Sequence, residues 1–260
     1  MHQVARKIVL GLAIAGTAGI AHAEVLSGQS FTDPGGIRVG SSTFPVRSKP
    51  GAGVDGQLRN AIAATSHFAN ARYKADTGVY HFSGRKLVED GAPGSGVRDH
   101  SKLGVWSFAQ AGNLDVWFGE WSAEVPTGAT GSKTPGTHTV WYVGENNDVA
   151  ATLPLAEPVR YTIRSINNYT GGALPVSTLT ANFSTGVASA SGDIGFREGA
   201  IRTVGKDVRL AASGVSVASS GGSGGNLDGR FFGTGAAGVA GIVKFADRNR
   251  DTAFGGIKAH

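Results

Sequence analysis

Seven histidines, no cysteine and a single methionine set the chemistry open to this 260-residue chain. Disulfides, thiolate metal sites, iron–sulfur clusters and cysteine nucleophiles are excluded, and Met1 leaves no internal thioether. A metal must be held by nitrogen or oxygen. Past His22, the histidines are His67, His81, His100, His138 and His260. His67 precedes Phe68, with Arg72 and Tyr73 one turn on; His81 lies between Tyr80 and Phe82, near Arg85 and Lys86. His100 is followed by Lys102 and Trp106, and His138 by Trp141 and Tyr142. An axial nitrogen, aromatic walls and cations for two propionates are what iron protoporphyrin requires. Tyrosine competes as the iron ligand, and the plainer alternative is that these histidines pack in strands or face water.

Other chemistry finds less support. Gly51-Ala52-Gly53-Val54-Asp55-Gly56 matches G-x-G-x-x-G, but Pro45, Arg47, Lys49 and Pro50 interrupt any buried strand leading into it, so it is expected to be a glycine loop. Asp247, Asn249 and Asp251 imitate the start of a calcium loop, yet Thr252 and Lys258 stand where glycine and glutamate are needed, and a tight turn is expected. Nothing places a base beside a nucleophile, so no catalytic residue is assigned and a non-enzyme is expected. The net charge of +5 includes Arg6 and Lys7 at the N-terminus, and no basic cluster is interleaved with stacking aromatics, so nucleic acid is not an expected partner.

The elements that must position these side chains are mostly strands. Residues 1–23 read as a secretory signal: Arg6 and Lys7, an apolar run from Ile8 to Ile20, and Ala21-His22-Ala23 as the cleavage site. No later segment is long and apolar enough to span a membrane as a helix. One helix is expected over 56–75, where Leu58, Ile62, Ala69 and Tyr73 recur at helical spacing. In the strand around Leu114–Glu124, Leu114, Val116 and Phe118 oppose Trp117 and Trp121, which predicts cover on both faces. After the loop 126–136 come eight strand-like runs: 138–144, 159–168, 177–184, 187–196, 208–217, 226–233, 239–246 and 252–258. Several alternate cleanly, and eight such strands can close into an antiparallel barrel or form a sandwich. Glycine, 41 residues, suits such a turn-rich β protein.

The C-terminal third carries a family pattern. Leu179-Thr180-Ala181-Asn182-Phe183-Ser184-Thr185-Gly186, Gly229-Arg230-Phe231-Phe232-Gly233, Ala240-Gly241-Ile242 and Ala253-Phe254-Gly255-Gly256 resemble the eight-stranded barrel of transferrin-binding protein B-like proteins. Upstream, His100-Ser101-Lys102-Leu103-Gly104-Val105-Trp106 and Trp117-Phe118-Gly119-Glu120-Trp121-Ser122 resemble the hemophilin group, secreted haem scavengers of Gram-negative bacteria. The resemblance implies a mainly β fold: a signal peptide over 1–23, a haem-binding clamp or handle with one helix and short strands over 24–125, and a barrel over 126–260. It further implies haem as cargo for iron acquisition, export through a Slam-type outer-membrane translocon, and delivery to a TonB-dependent haem receptor, with haemoglobin a further partner to consider. His100 is the expected axial ligand, with His67 and His81 as the other candidates; Tyr73, Tyr80, Phe82 and Trp106 are expected pocket walls, and Arg72, Arg85 and Lys102 propionate contacts. The rival reading is a non-catalytic host-protein-binding or colonisation module on the same barrel. A third is a lipocalin-like carrier with an apolar ligand inside the barrel.

Overall fold

The computed structural model describes residues 24–259. The signal segment 1–23 and His260 lie outside the described residues. The first half is built on a five-stranded antiparallel sheet of β1 (Glu24–Gln29), β5 (Tyr80–Ser83), β6 (Val105–Gln110), β7 (Val116–Ser122) and β8 (Thr139–Asn146), in the order β1-β8-β7-β6-β5. A smaller sheet of β2 (Ile37–Ser41), β3 (Pro50–Val54) and β4 (Ala63–Ala64) lies in the same half. Two short helices, α1 (Thr65–Phe68) and α2 (Gly84–Glu89), complete it.

The second half is a closed barrel of β9 (Val159–Ile166), β10 (Val176–Asn182), β11 (Val187–Gly192), β12 (Ile194–Val204), β13 (Asp207–Val217), β14 (Gly222–Phe232), β15 (Gly238–Lys244) and β16 (Thr252–Lys258). Each strand pairs antiparallel with the next, and β16 closes the ring on β9, as in Phe254 opposite Ser165. Alternation dictates which residues enter: Tyr161, Ile163, Leu179, Phe231 and Phe254 fill the interior, so the lumen is a packed core and not a ligand chamber. The lipocalin-like reading is thereby set aside.

The strand β7 has the two apolar faces expected of it. Val116 and Phe118 pack with Ile166, Phe232, Ala240 and Ala253 of the barrel, while Trp117 and Trp121 join an aromatic cluster on the opposite face. A Cβ at Gly255 would collide with the Phe118 ring, so this glycine lets the barrel approach the sheet.

Four expectations are corrected. The helix expected over 56–75 is a left-handed turn at Leu58–Asn60, the strand β4, the single turn α1 and a further turn at Ala71–Tyr73. Asparagine side chains compete with helical hydrogen bonding there: Asn60 Oδ1 accepts the Gly56 N–H at 2.8 Å, and Asn70 Oδ1 the Arg72 N–H at 2.9 Å. The run at 138–144 is not a barrel strand; as β8 it pairs with β1 and β7, burying Val140 and Tyr142 on one face and Trp141 and Val143 on the other. The run at 187–196 is two strands, turning at Gly192, whose φ of 118° favours glycine. The motif 51–56 contributes to β3 rather than a loop, and a Cβ on Gly53 would strike the Ala61 carbonyl.

Candidate haem site

Strand alternation sends Tyr80 and Phe82 of β5 to the face that receives Trp106 and Phe108 of β6, and sends His81 to the other. Phe68, at the end of α1, caps this cluster with ring centroids 5.6 Å from Trp106 and 5.3 Å from Phe108. Tyr73 lies tilted against Phe82 at 5.4 Å. Tyr80, Phe82 and Trp106 thus share one cluster and are buried in it, with Phe68 packed against them.

The loop bearing His100 is fixed to the same cluster. The Trp106 and Trp121 indole N–H groups both donate to the Leu103 carbonyl, at 2.7 and 2.8 Å. A Cβ at Gly84 would lie 2.8 Å from the Leu103 amide nitrogen, so a glycine at the start of α2 admits this loop. His100 is half-buried, with Nδ1 3.2 Å from the Pro93 carbonyl oxygen. A carbonyl can only accept, so Nδ1 carries the proton in this bond and Nε2 keeps its lone pair. This is the arrangement by which proteins orient a metal-binding imidazole.

His67 flanks the cluster from the α1 side. It is exposed, and its ring meets Phe44 edge-on at 5.4 Å. His81 lies on the other sheet face, with Nδ1 3.0 Å from Ser107 Oγ and its ring 5.8 Å from Tyr169 of the barrel half. His81 is exposed as a residue, but partial desolvation of its ring, then the positive charge of Lys133, holds the imidazole below its ordinary pKa. The structure therefore separates His81 from His67 and His100. His138 is buried, with Nε2 2.9 Å from the Asp251 carbonyl oxygen.

The expected propionate cations differ in availability. Arg72, Lys86 and the Tyr73 hydroxyl all converge on Asp90, at 2.8, 2.8 and 2.9 Å. These contacts, led by the Lys86 hydrogen bond, hold the Asp90 carboxyl below the ordinary value. Arg85 donates to the carbonyls of Val125 and Gly128, at 3.3 and 3.0 Å. Lys102 is exposed and has no ion pair among the described residues.

Three apolar side chains escaped the sequence reading. Phe44, Val46 and Val97 are 53%, 56% and 63% exposed, and they are the large exposed hydrophobics of the first half among the described residues. Phe44 and Val46 belong to the β2–β3 connection, which Lys49 pins to Glu145 of β8 at 2.6 Å; Val97 precedes His100 by three residues. They sit in irregular loops, where no periodicity could mark them. Apolar side chains in water beside two histidines fit a porphyrin edge.

The first half is thus a sheet carrying a packed aromatic cluster, with His67 of α1 and His100 of the loop before β6 beside it, joined to a closed barrel. The HphA N-terminal heme-binding domain matches residues 20–139 and the HphA C-terminal domain residues 151–258, in that order, and the chain belongs to this hemophilin family. It binds haem.

Among solved structures, the chain is similar to intact Ap-TbpB with its N and C lobes, at 13% identity and a TM-score of 0.41, over 61% of this chain and 36% of that one. It is similar to isotype 1 transferrin binding protein B of serogroup B Neisseria meningitidis at 16% identity and a TM-score of 0.38, over 60% of this chain and 33% of that one. For a mutant transferrin binding protein B of Actinobacillus pleuropneumoniae H49 the identity is 13% and the TM-score 0.39, over 91% and 100% of the two chains. The chain spans about a third of the length of the first two.

Proposed function

We propose that this protein is a secreted, non-catalytic haem carrier for iron acquisition, in which His100 Nε2 is the axial ligand and His67 the second candidate. The observation that carries the reading is the His100 imidazole: its Nδ1 is engaged by the Pro93 carbonyl at 3.2 Å, beside an aromatic cluster in a domain of the heme-binding family. Phe44, Val46 and Val97 supply apolar contacts to the porphyrin, over the cluster of Tyr73, Tyr80, Phe82 and Trp106. Lys102 is the propionate contact free of other partners, while Arg72 and Arg85 brace the loops around it. His81 supports the seam with the barrel.

The leader 1–23 directs export, and the barrel serves a Slam-type translocon and docks on a TonB-dependent haem receptor. The hemophilin resemblance supports this division, as does the placement of the histidine loops on the sheet face turned away from the barrel. No helix among the described residues is long and apolar enough to cross a membrane.

A hemin absorption titration tests the reading. The wild type should develop a Soret band of histidine type; His100→Ala should weaken or shift it, His67→Ala should alter the spin state if it is the second ligand, and His81→Ala should leave the band in place. A featureless spectrum would overturn the reading in favour of a host-protein-binding module.

A further inference from the structure

Leu58, Arg59 and Asn60 stand consecutively at φ 48°, 60° and 60°, a left-handed turn that L side chains resist. Such outliers persist where surrounding contacts over-determine them, and they concentrate at ligand clamps. Here the contacts are visible. The Gly56 N–H donates to Asn60 Oδ1 at 2.8 Å, the Asn60 N–H to the Gln57 carbonyl at 2.8 Å, and Arg38 to the Asn60 carbonyl at 3.0 Å.

The turn packs against a second turn, Gly96–Arg98, which leads directly to His100. Each brings an exposed arginine, Arg59 and Arg98, and neither has an ion-pair partner among the described residues. The acids closest in sequence are occupied. Asp55 pairs with Arg38 at 3.6 Å and accepts the Gly35 N–H at 3.3 Å. Asp99 accepts the Ser101 hydroxyl at 2.6 Å and its N–H at 2.9 Å, which keeps its carboxyl below the ordinary value. Two unpaired guanidinium groups on neighbouring turns add their positive potential over the same region, which favours an anion there.

We infer that Arg59 and Arg98 form a carboxylate clasp at the mouth of the haem site and select the free propionates of the porphyrin. This rests on the haem reading above and adds its specificity: the clasp distinguishes dianionic haem from a neutral-edged porphyrin of the same shape. The Leu58–Asn60 turn presents Arg59 from a rigid position, so less freedom is lost when the ligand is held. Exposed Val97, the neighbour of Arg98 in the chain, contacts the ring next to its carboxylates.

The test titrates the full chain with hemin and with its dimethyl ester, reading the Soret band and tryptophan quenching. Wild type should prefer hemin by about tenfold at low salt, and by less as salt screens the charges. The double variant R59A/R98A should lose most of that preference, Lys102 keeping the remainder, while the Soret position stays that of a histidine-bound iron, and R59K/R98K should recover part of it. R98A alone, outside the strained turn, should lose part of the preference with the fold undisturbed. An undiminished preference in R98A and R59A/R98A, or no preference in the wild type, would overturn the clasp. Absence of a Soret band in the wild type with both ligands overturns the haem reading itself, a result distinct from binding without discrimination.

Discussion

Glu120 Oε1 accepts the Lys133 ammonium at 2.7 Å from a side chain only 1% exposed, at the seam between the first sheet and the barrel. The same carboxylate accepts the backbone N–H groups of Asn168 and Tyr169, just beyond β9. His138 Nδ1 lies 3.7 Å from its other oxygen. One side chain of β7 therefore organises the connection between the halves. Glu120→Ala leaves Lys133 and two backbone donors without their acceptor. It should cost about 3–5 kcal/mol, measured by denaturant unfolding. A loss below about 1 kcal/mol would mean that water replaces the carboxylate at no cost.

His81 gives this seam a pH dependence. The His81 residue is exposed as a whole, yet its ring is partly desolvated against Ser107 and Tyr169; this, then the Lys133 charge, holds its folded pKa below the ordinary 6.5, so the unfolded chain binds the extra proton more readily. Its contribution to stability is complete above about pH 6.5 and is lost as pH falls through the window down to the folded value. The slope of unfolding free energy against pH between 5 and 7 should flatten in His81→Asn. An unchanged slope assigns the dependence to another group.

Phe44 is exposed in the β2–β3 connection and touches His67, so its removal should separate binding from stability. Phe44→Ser should change unfolding free energy by no more than about 0.5 kcal/mol. Hemin affinity should weaken by about tenfold, as expected for loss of a large apolar contact. Equal affinity would move the porphyrin away from this loop.

The left-handed turn offers a second separation. At φ 60°, Arg59→Gly removes a steric penalty and should raise stability by up to about 1 kcal/mol, visible as a higher Tm. The same change should diminish the preference for hemin over its ester. A lower Tm would show that the arginine side chain makes contacts outweighing the strain.

The barrel was legible because its strands obey a period of two with one wet face: Tyr161 and Ile163 against Arg160, Thr162 and Arg164 reads the same in sequence and structure. β8 was harder. With both faces buried it shows no alternation, and its flanking strands cannot be assigned from its own residues. The supposed helix failed because Leu58, Ile62, Ala69 and Tyr73 have helical spacing by coincidence, while Ala63 and Ala64 find partners in β3, more than ten residues back. The histidines could be enumerated from sequence, but sorting them required strand direction. His81 turns away from Tyr80 and Phe82 because neighbours on a strand face opposite sides. Arg59 and Arg98 escaped because a cation's availability depends on which acids already have partners.

Pairing β16 with β9 also has a consequence for the order of assembly. Val159–Ile166 precedes Thr252–Lys258 along the chain, so one rim of the forming sheet stays bare until the final strand is paired. Arg160 and Arg164, outward-facing on that rim, supply the charge that discourages two unfinished molecules from zipping together there.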